Sequence, residues 1–177
     1  IKWVSVAFTD ISAYSTIIEN MSPKIAVTLL NQYFSRMHDV IEKHDGHILN
    51  YIGDSIMIVF GAPNEVDDHE LKAVECAVEM RKVLDELNDE WDKVEFSRYW
   101  KNHGINKVEA RAGIHSGSVI AGNIGSDRML QYSAIGDVVN VAARLEQSNK
   151  EFGTDICFSH EIYINLKKDL HDSASLS

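Results

Sequence analysis

Cysteine, proline and basic residues are all scarce in this chain. Cys76 and Cys157 are the only cysteines in 177 residues and have no Cys-x-x-Cys spacing. A disulfide framework and the usual structural zinc signatures are thereby excluded, and a reducing, cytoplasmic setting is the expectation. Lysine and arginine total 17 against 27 aspartates and glutamates, a formal net charge of −10. A nucleic-acid partner needs a basic face, so none is expected. No apolar run reaches the roughly 18 residues of a membrane span, and the first residues lack a signal-peptide pattern. Membrane attachment would require segments absent from this sequence. A Gly-x₄-Gly-Lys-[Ser/Thr] loop and a dinucleotide fingerprint are also missing.

What is present is a domain-sized chain, 45% hydrophobic, enough to build a core. Trp3 to Thr9 is β-branched and aromatic, a buried strand starting almost at the first residue, as in a domain cut from a longer protein. Ser22-Pro23 opens a helix with a capping serine and proline at the first helical position. Its apolar stripe runs through Ala26, Leu30, Tyr33, Phe34, Met37 and Ile41. His47–Ile52 and Ser55–Phe60 read as strands joined through Gly53-Asp54, a hairpin signal. Asp67 or Asp68 caps a long helix carrying Leu71, Val74, Val78, Leu84 and Leu87. Residues 92–107 are polar and aperiodic, an exposed insertion. Strands follow at 108–115 and 119–124, then a helix from Val138 to about Ser148, a strand over 154–158 and a short last helix. This order predicts an α+β domain with a ferredoxin-like core, its helices on one face of a mainly antiparallel sheet.

Three sets of residues could carry chemistry. Asp10 ends the first strand, either as a cap for a following helix or as a metal ligand. Asp54 is either a turn residue tolerating left-handed backbone or a second carboxylate converging on Asp10, a pairing that suits hard divalent ions. Asn140 and Arg144 lie four apart on one helix face, and Arg144 could equally be a solvated partner of Glu146 or Asp137. His44 and His47 have His-x-x-His spacing, but among eight histidines and without an acidic helix motif coincidence explains it. Met37, Met57 and Trp3 are most simply core, and Trp91 and Trp100 could pack the insertion down or serve a partner.

Four runs share one resemblance. Phe8–Ser15 (FTDISAYS), Asn50–Pro63 (NYIGDSIMIVFGAP), Ala110–Ser126 (ARAGIHSGSVIAGNIGS) and Gln131–Glu146 (QYSAIGDVVNVAARLE) resemble, in order, the motifs of class III adenylyl and guanylyl cyclase catalytic domains. The resemblance implies a single catalytic domain over residues 1–177, ending before the final hairpin that carries the family's triphosphate lysine; Lys167 and Lys168 sit too early for it. It implies that Asp10, Asp54 and the Ile11 carbonyl bind two Mg2+ or Mn2+ ions per site, and that Ile11, Ser12, Ala13, Tyr14 and Ser15 wrap the triphosphate. Family members often have glycine where this chain has Ala13. Asn140 matches the asparagine that orients the ribose, and Arg144 the arginine that stabilises the transition state. Metal ligands and the Asn/Arg pair come from opposite subunits, so a homodimer with two interface sites is implied.

The implied reaction converts ATP to 3′,5′-cyclic AMP and pyrophosphate by in-line attack of the ribose 3′-hydroxyl on the α-phosphate. Asn50 and Ser133 occupy the base-specifying positions. Ser133 matches an adenylyl branch whose members often respond to bicarbonate. Asn50 replaces the usual adenylyl lysine, and its amide can face either purine. The alternatives are a guanylate or dual-specificity cyclase using GTP, and a non-catalytic dimerising signalling module.

Overall fold

The computed structural model describes residues 1–176, with side chains through Lys168. Six strands form one sheet in the order β2-β3-β1-β4-β5, with β6 paired to β4. β1 (Lys2–Ile11) is central and antiparallel to both β3 (Ser55–Phe60) and β4 (Ala110–Ser126). β2 (Gly46–Ile52) pairs with β3 through the Gly53-Asp54 turn. Gly53 takes the positive φ of 60°. Asp54 does not, so left-handed tolerance is not why an aspartate stands there. Among the described residues only β6 (Ile156–Phe158) runs parallel to its neighbour, which bears out the expected mainly antiparallel sheet.

Residues 108–124, read as two strands, form one long strand from Ala110. Its first part pairs with β1 as far as Val119. From Ile120 onward it pairs with β5 (Met129–Ile135), a strand the sequence reading did not include. Met129, Leu130 and Ile135 are exposed in the single chain. They therefore show neither clean alternation nor a buried run.

Alternation along β1 divides the core. Ala7 and Ile11 face α2 (Pro23–Lys43) and α3 (His69–Lys93), and Val4 and Val6 face the side of α5 (Asp137–Phe152). The sheet therefore carries helices on both faces, not one. A Cβ on Gly113 would collide with Glu146 N and Ala142 O, so this glycine is what lets α5 lie against β4.

Local details also differ from expectation. Ser22 caps α2 as expected, accepting from Ile25 N at 3.3 Å. The buried seam of α2 runs through Leu29, Tyr33, Met37, Val40 and Ile41, leaving Ala26, Leu30 and Phe34 of the expected stripe half-buried. On α3 it runs through Ala73, Cys76, Ala77, Met80, Leu84 and Leu87, leaving Val78 exposed, and Asp68 makes no side-chain cap. Met37 and Met57 are buried, but Trp3 is 55% exposed. The last helix, α6 (His160–Leu176), has 17 residues and is not the short helix expected.

Residues 92–107 are not a loose insertion. They contain the short helix α4 (Arg98–Lys101), and Trp100 is fully buried with its ring centroid 5.2 Å from that of Trp91. Phe96 packs on both tryptophans. Asn20, just past the short helix α1 (Tyr14–Ile18), has its Nδ2 3.0 Å from His103 Nε2. The tryptophans thus pack this segment down onto the core, one of the two roles the sequence left open for them.

Candidate active site

The C-terminal end of β1 and the β2–β3 turn meet. Ile11 N donates to Asp54 Oδ2 at 2.8 Å, which draws the Asp54 carboxylate beside Asp10. Burial raises the Asp54 carboxyl above its ordinary value, partly offset by the Ile11 amide, with Asp10 also raising it and Lys150 lowering it. Below the same sheet end the Tyr33 hydroxyl is buried, and burial pushes its pKa up.

A third carboxyl completes this corner. Glu146 is 3% exposed on the inner face of α5 and faces Asp10. Asp10 Oδ1 and Glu146 Oε1 are both buried without another hydrogen-bond donor. Burial first, then the contact with Asp10, push Glu146 up to about 8, so Glu146 keeps its proton at neutral pH. Glu146 is therefore not the surface partner of Arg144. Its place on the Val138–Ala142–Asn149 buried stripe was the sequence signal for this.

The loop after β1 is tightly formed. Ser12 N donates to Glu109 O at 2.7 Å, and Ala13 adopts left-handed backbone with φ 55°. Glycine reaches that conformation without the penalty of a Cβ, so the alanine puts strain in the loop but keeps its shape. Asp10 does not cap the next helix; Ala13 is the N-cap of α1, without a side-chain cap bond. Ala13 and Ser15 are exposed, and Ser12 and Tyr14 half-buried. The first amides of α1 have no intrahelical acceptor.

Asn140 and Arg144 are both exposed. Arg144 lies half a turn around α5 from Glu146, so when Glu146 faces Asp10 the guanidinium points away from it. One chain therefore does not bring Arg144 to its own aspartates.

Asn50 is exposed on β2, and Ser133 is half-buried on β5. The β2–β3 register slips between Ile48 and Asn50. This leaves the Leu49 carbonyl out of the ladder, where it accepts from Gln131 Nε2 at 2.9 Å. Nearby, the His47 ring meets Tyr132 edge-on at 5.4 Å. These contacts join β2 to β5 beside the two positions. Gln131 escaped the sequence reading, as did Arg111, which the register sets opposite Asp10. Both depend on strand pairing. His44 and His47 do not converge; His44 Nε2 instead meets Glu79 Oε2 at 2.7 Å.

The donors at this corner suit a divalent ion. They are hard oxygens, and the Ile11 amide holds Asp54 Oδ2 beside the end of β1 where Asp10 stands. No cluster of three or more His, Cys, Asp or Glu able to hold a metal exists among the described residues, so substrate oxygens or water would have to fill the remaining positions. No described helix is long and apolar enough to cross a membrane.

Residues 1–175 match the adenylate and guanylate cyclase catalytic domain family. Adenylate cyclase 1 of Rhizobium meliloti (strain 1021) is 35% identical over 164 residues, 93% of this chain and 23% of that protein. The chain thus spans about a quarter of that relative's length. Among solved structures, the adenylyl cyclase CyaB from P. aeruginosa superposes with a TM-score of 0.79 at 31% identity, covering 94% of this chain and 81% of that one. The guanylyl cyclase Cya2 gives 0.78 at 32%, covering 93% and 78%.

Proposed function

Because this chain belongs to the family of adenylate and guanylate cyclase catalytic domains, we propose that it converts ATP to 3′,5′-cyclic AMP and pyrophosphate as a homodimer. The observation that best supports this reading is the 2.8 Å bond from Ile11 N to Asp54 Oδ2, which gathers two carboxylates at one sheet end.

Asp10, Asp54 and the Ile11 carbonyl would hold the divalent ions, Mg2+ or Mn2+, two per site. When bound, these ions polarise the ribose 3′-hydroxyl and offset phosphate charge. Ile11 to Ser15 line the triphosphate, with the first amides of α1 facing it. Arg111, opposite Asp10, adds a cation on the same side. Asn140 of the partner subunit orients the ribose. The partner's Arg144 stabilises the charge that builds on the α-phosphate as the 3′-oxygen attacks in line and pyrophosphate leaves. Asn50 and Ser133 meet the purine edge, and Gln131 holds β2 in place through the Leu49 carbonyl. Ser133 favours ATP; the Asn50 amide leaves GTP as a second substrate. Location in the cytoplasm follows if no further segment directs the protein elsewhere.

The test is product formation from ATP and from GTP, each with Mg2+ and Mn2+, beside Asp54→Ala. Cyclic AMP from ATP, abolished in the variant, is the expected result. Cyclic GMP as the main product would reassign the substrate. No product under any condition would favour a dimerising signalling module.

A further inference from the structure

The end of α5 is pinned to the site. Asn149 Nδ2 donates to Ala112 O at 2.9 Å. Ala112 adjoins Arg111 on β4, and Arg111 stands opposite Asp10 in the register. Asn149 is itself buried and held by Thr154, whose Oγ1 donates to its Oδ1 at 2.7 Å. The next residue, Lys150, therefore leaves α5 beside the Asp10 corner, one turn beyond Glu146. Its charge is felt at both Asp54 and Glu146. Lys150 is exposed and forms no ion pair among the described residues.

We propose that Lys150 binds the polyphosphate of the substrate, and of the pyrophosphate product, in the same subunit as Asp10 and Asp54. This rests on the cyclase reading above. A triphosphate brings more negative charge than divalent ions offset once the two aspartates are counted, so the site needs protein cations. Arg111 supplies one from β4 and Lys150 a second from α5, on a stem long enough to follow the leaving group. The alternative role for a lysine in the last turn of a helix is favourable interaction with the helix dipole. That role predicts a small stability effect and no effect on phosphate ligands.

The experiment compares the wild-type chain with Lys150→Gln and Lys150→Arg. Calorimetry measures pyrophosphate binding in the presence of Mg2+ and, separately, Mn2+ binding alone; kinetics with ATP run in parallel. Losing a charge-assisted contact should raise the pyrophosphate Kd and the KM for ATP about tenfold in Lys150→Gln. The kcat should stay within about threefold, and Lys150→Arg should recover most of the affinity. Mn2+ alone should bind Lys150→Gln as tightly as wild type or more tightly, because a repelling cation has gone. An unchanged pyrophosphate Kd in Lys150→Gln overturns the inference while leaving an active wild type's cyclase reading intact. Equal weakening of pyrophosphate and Mn2+ also overturns it, since that marks a distorted site. A wild-type chain that neither binds pyrophosphate nor turns over ATP overturns both readings.

Discussion

At the scale of single residues, α5 carries opposite roles on its two sides. Arg144 is exposed and points away from its own aspartates, so its removal should leave the fold and the metal corner untouched. In Arg144→Ala, kcat should fall about 10²–10³-fold, as for other transition-state donors, with nucleotide affinity within a few-fold. Equal kcat in wild type and variant would remove Arg144 from the mechanism. Glu146 is the inward counterpart. Its ordinary pKa of 4.5 rises to about 8 in the folded chain. The native protein thus keeps a proton that the unfolded chain releases. The stabilisation is complete below about 4.5 and lost as pH rises through about 8, at a slope of up to roughly 1.4 kcal/mol per pH unit. Metal-free protein should therefore show urea midpoints that decline between pH 5 and 8. Glu146→Gln keeps a donor toward Asp10 and cannot titrate, so its midpoints should change little over that range. A slope surviving in the variant would assign the dependence to other groups.

At the scale of elements, the segment carrying α4 is the clearest case where sequence reading stopped short. Its charges dominate residues 92–107, yet Trp100 is fully buried against Trp91 and Phe96. Trp100→Ala should cost about 3–5 kcal/mol of stability, read as a lower denaturant midpoint; a loss under 1 kcal/mol would mean the segment is merely draped over the core. Other elements were legible because local chemistry decides them. Ser22-Pro23 starts α2 where a capping serine and N1 proline predict, and Ser55–Phe60 forms its strand within the same bounds. β5 was not legible, because its apolar residues are exposed in the single chain and give no burial pattern. Of the site, Asp10 and Asp54 could be named because each sits where a strand ends or turns. Arg111, Gln131 and Glu146 lie within the recognised runs, but register, a bulge and helix packing give them their places; of the three only Glu146 carried a local signal, its position on the buried stripe of α5.

At the scale of the whole molecule, the half-turn between Glu146 and Arg144 has a consequence for assembly. If Glu146 seats α5 against its own Asp10, the same helix offers Asn140 and Arg144 outward, toward another chain. The exposed apolar residues of β4 and β5, among them Ile120, Met129, Leu130 and Ile135, lie on the hairpin just before α5 and give a second copy something to cover. Each subunit would then own the metal corner of one site and the Asn/Arg pair of the other. Complementation tests this directly. Asp54→Ala and Arg144→Ala homodimers each lose both sites. In a mixed dimer one site collects both defects and the other none. Equal co-expression with random pairing should therefore restore about a quarter of wild-type activity, half the dimers being mixed with one site each. Separately purified variants should recover toward that level only as fast as subunits exchange. Activity that stays at the sum of the two variants, in samples shown to contain mixed dimers, would mean that each chain completes its own site, and the outward placement of Arg144 would need another purpose.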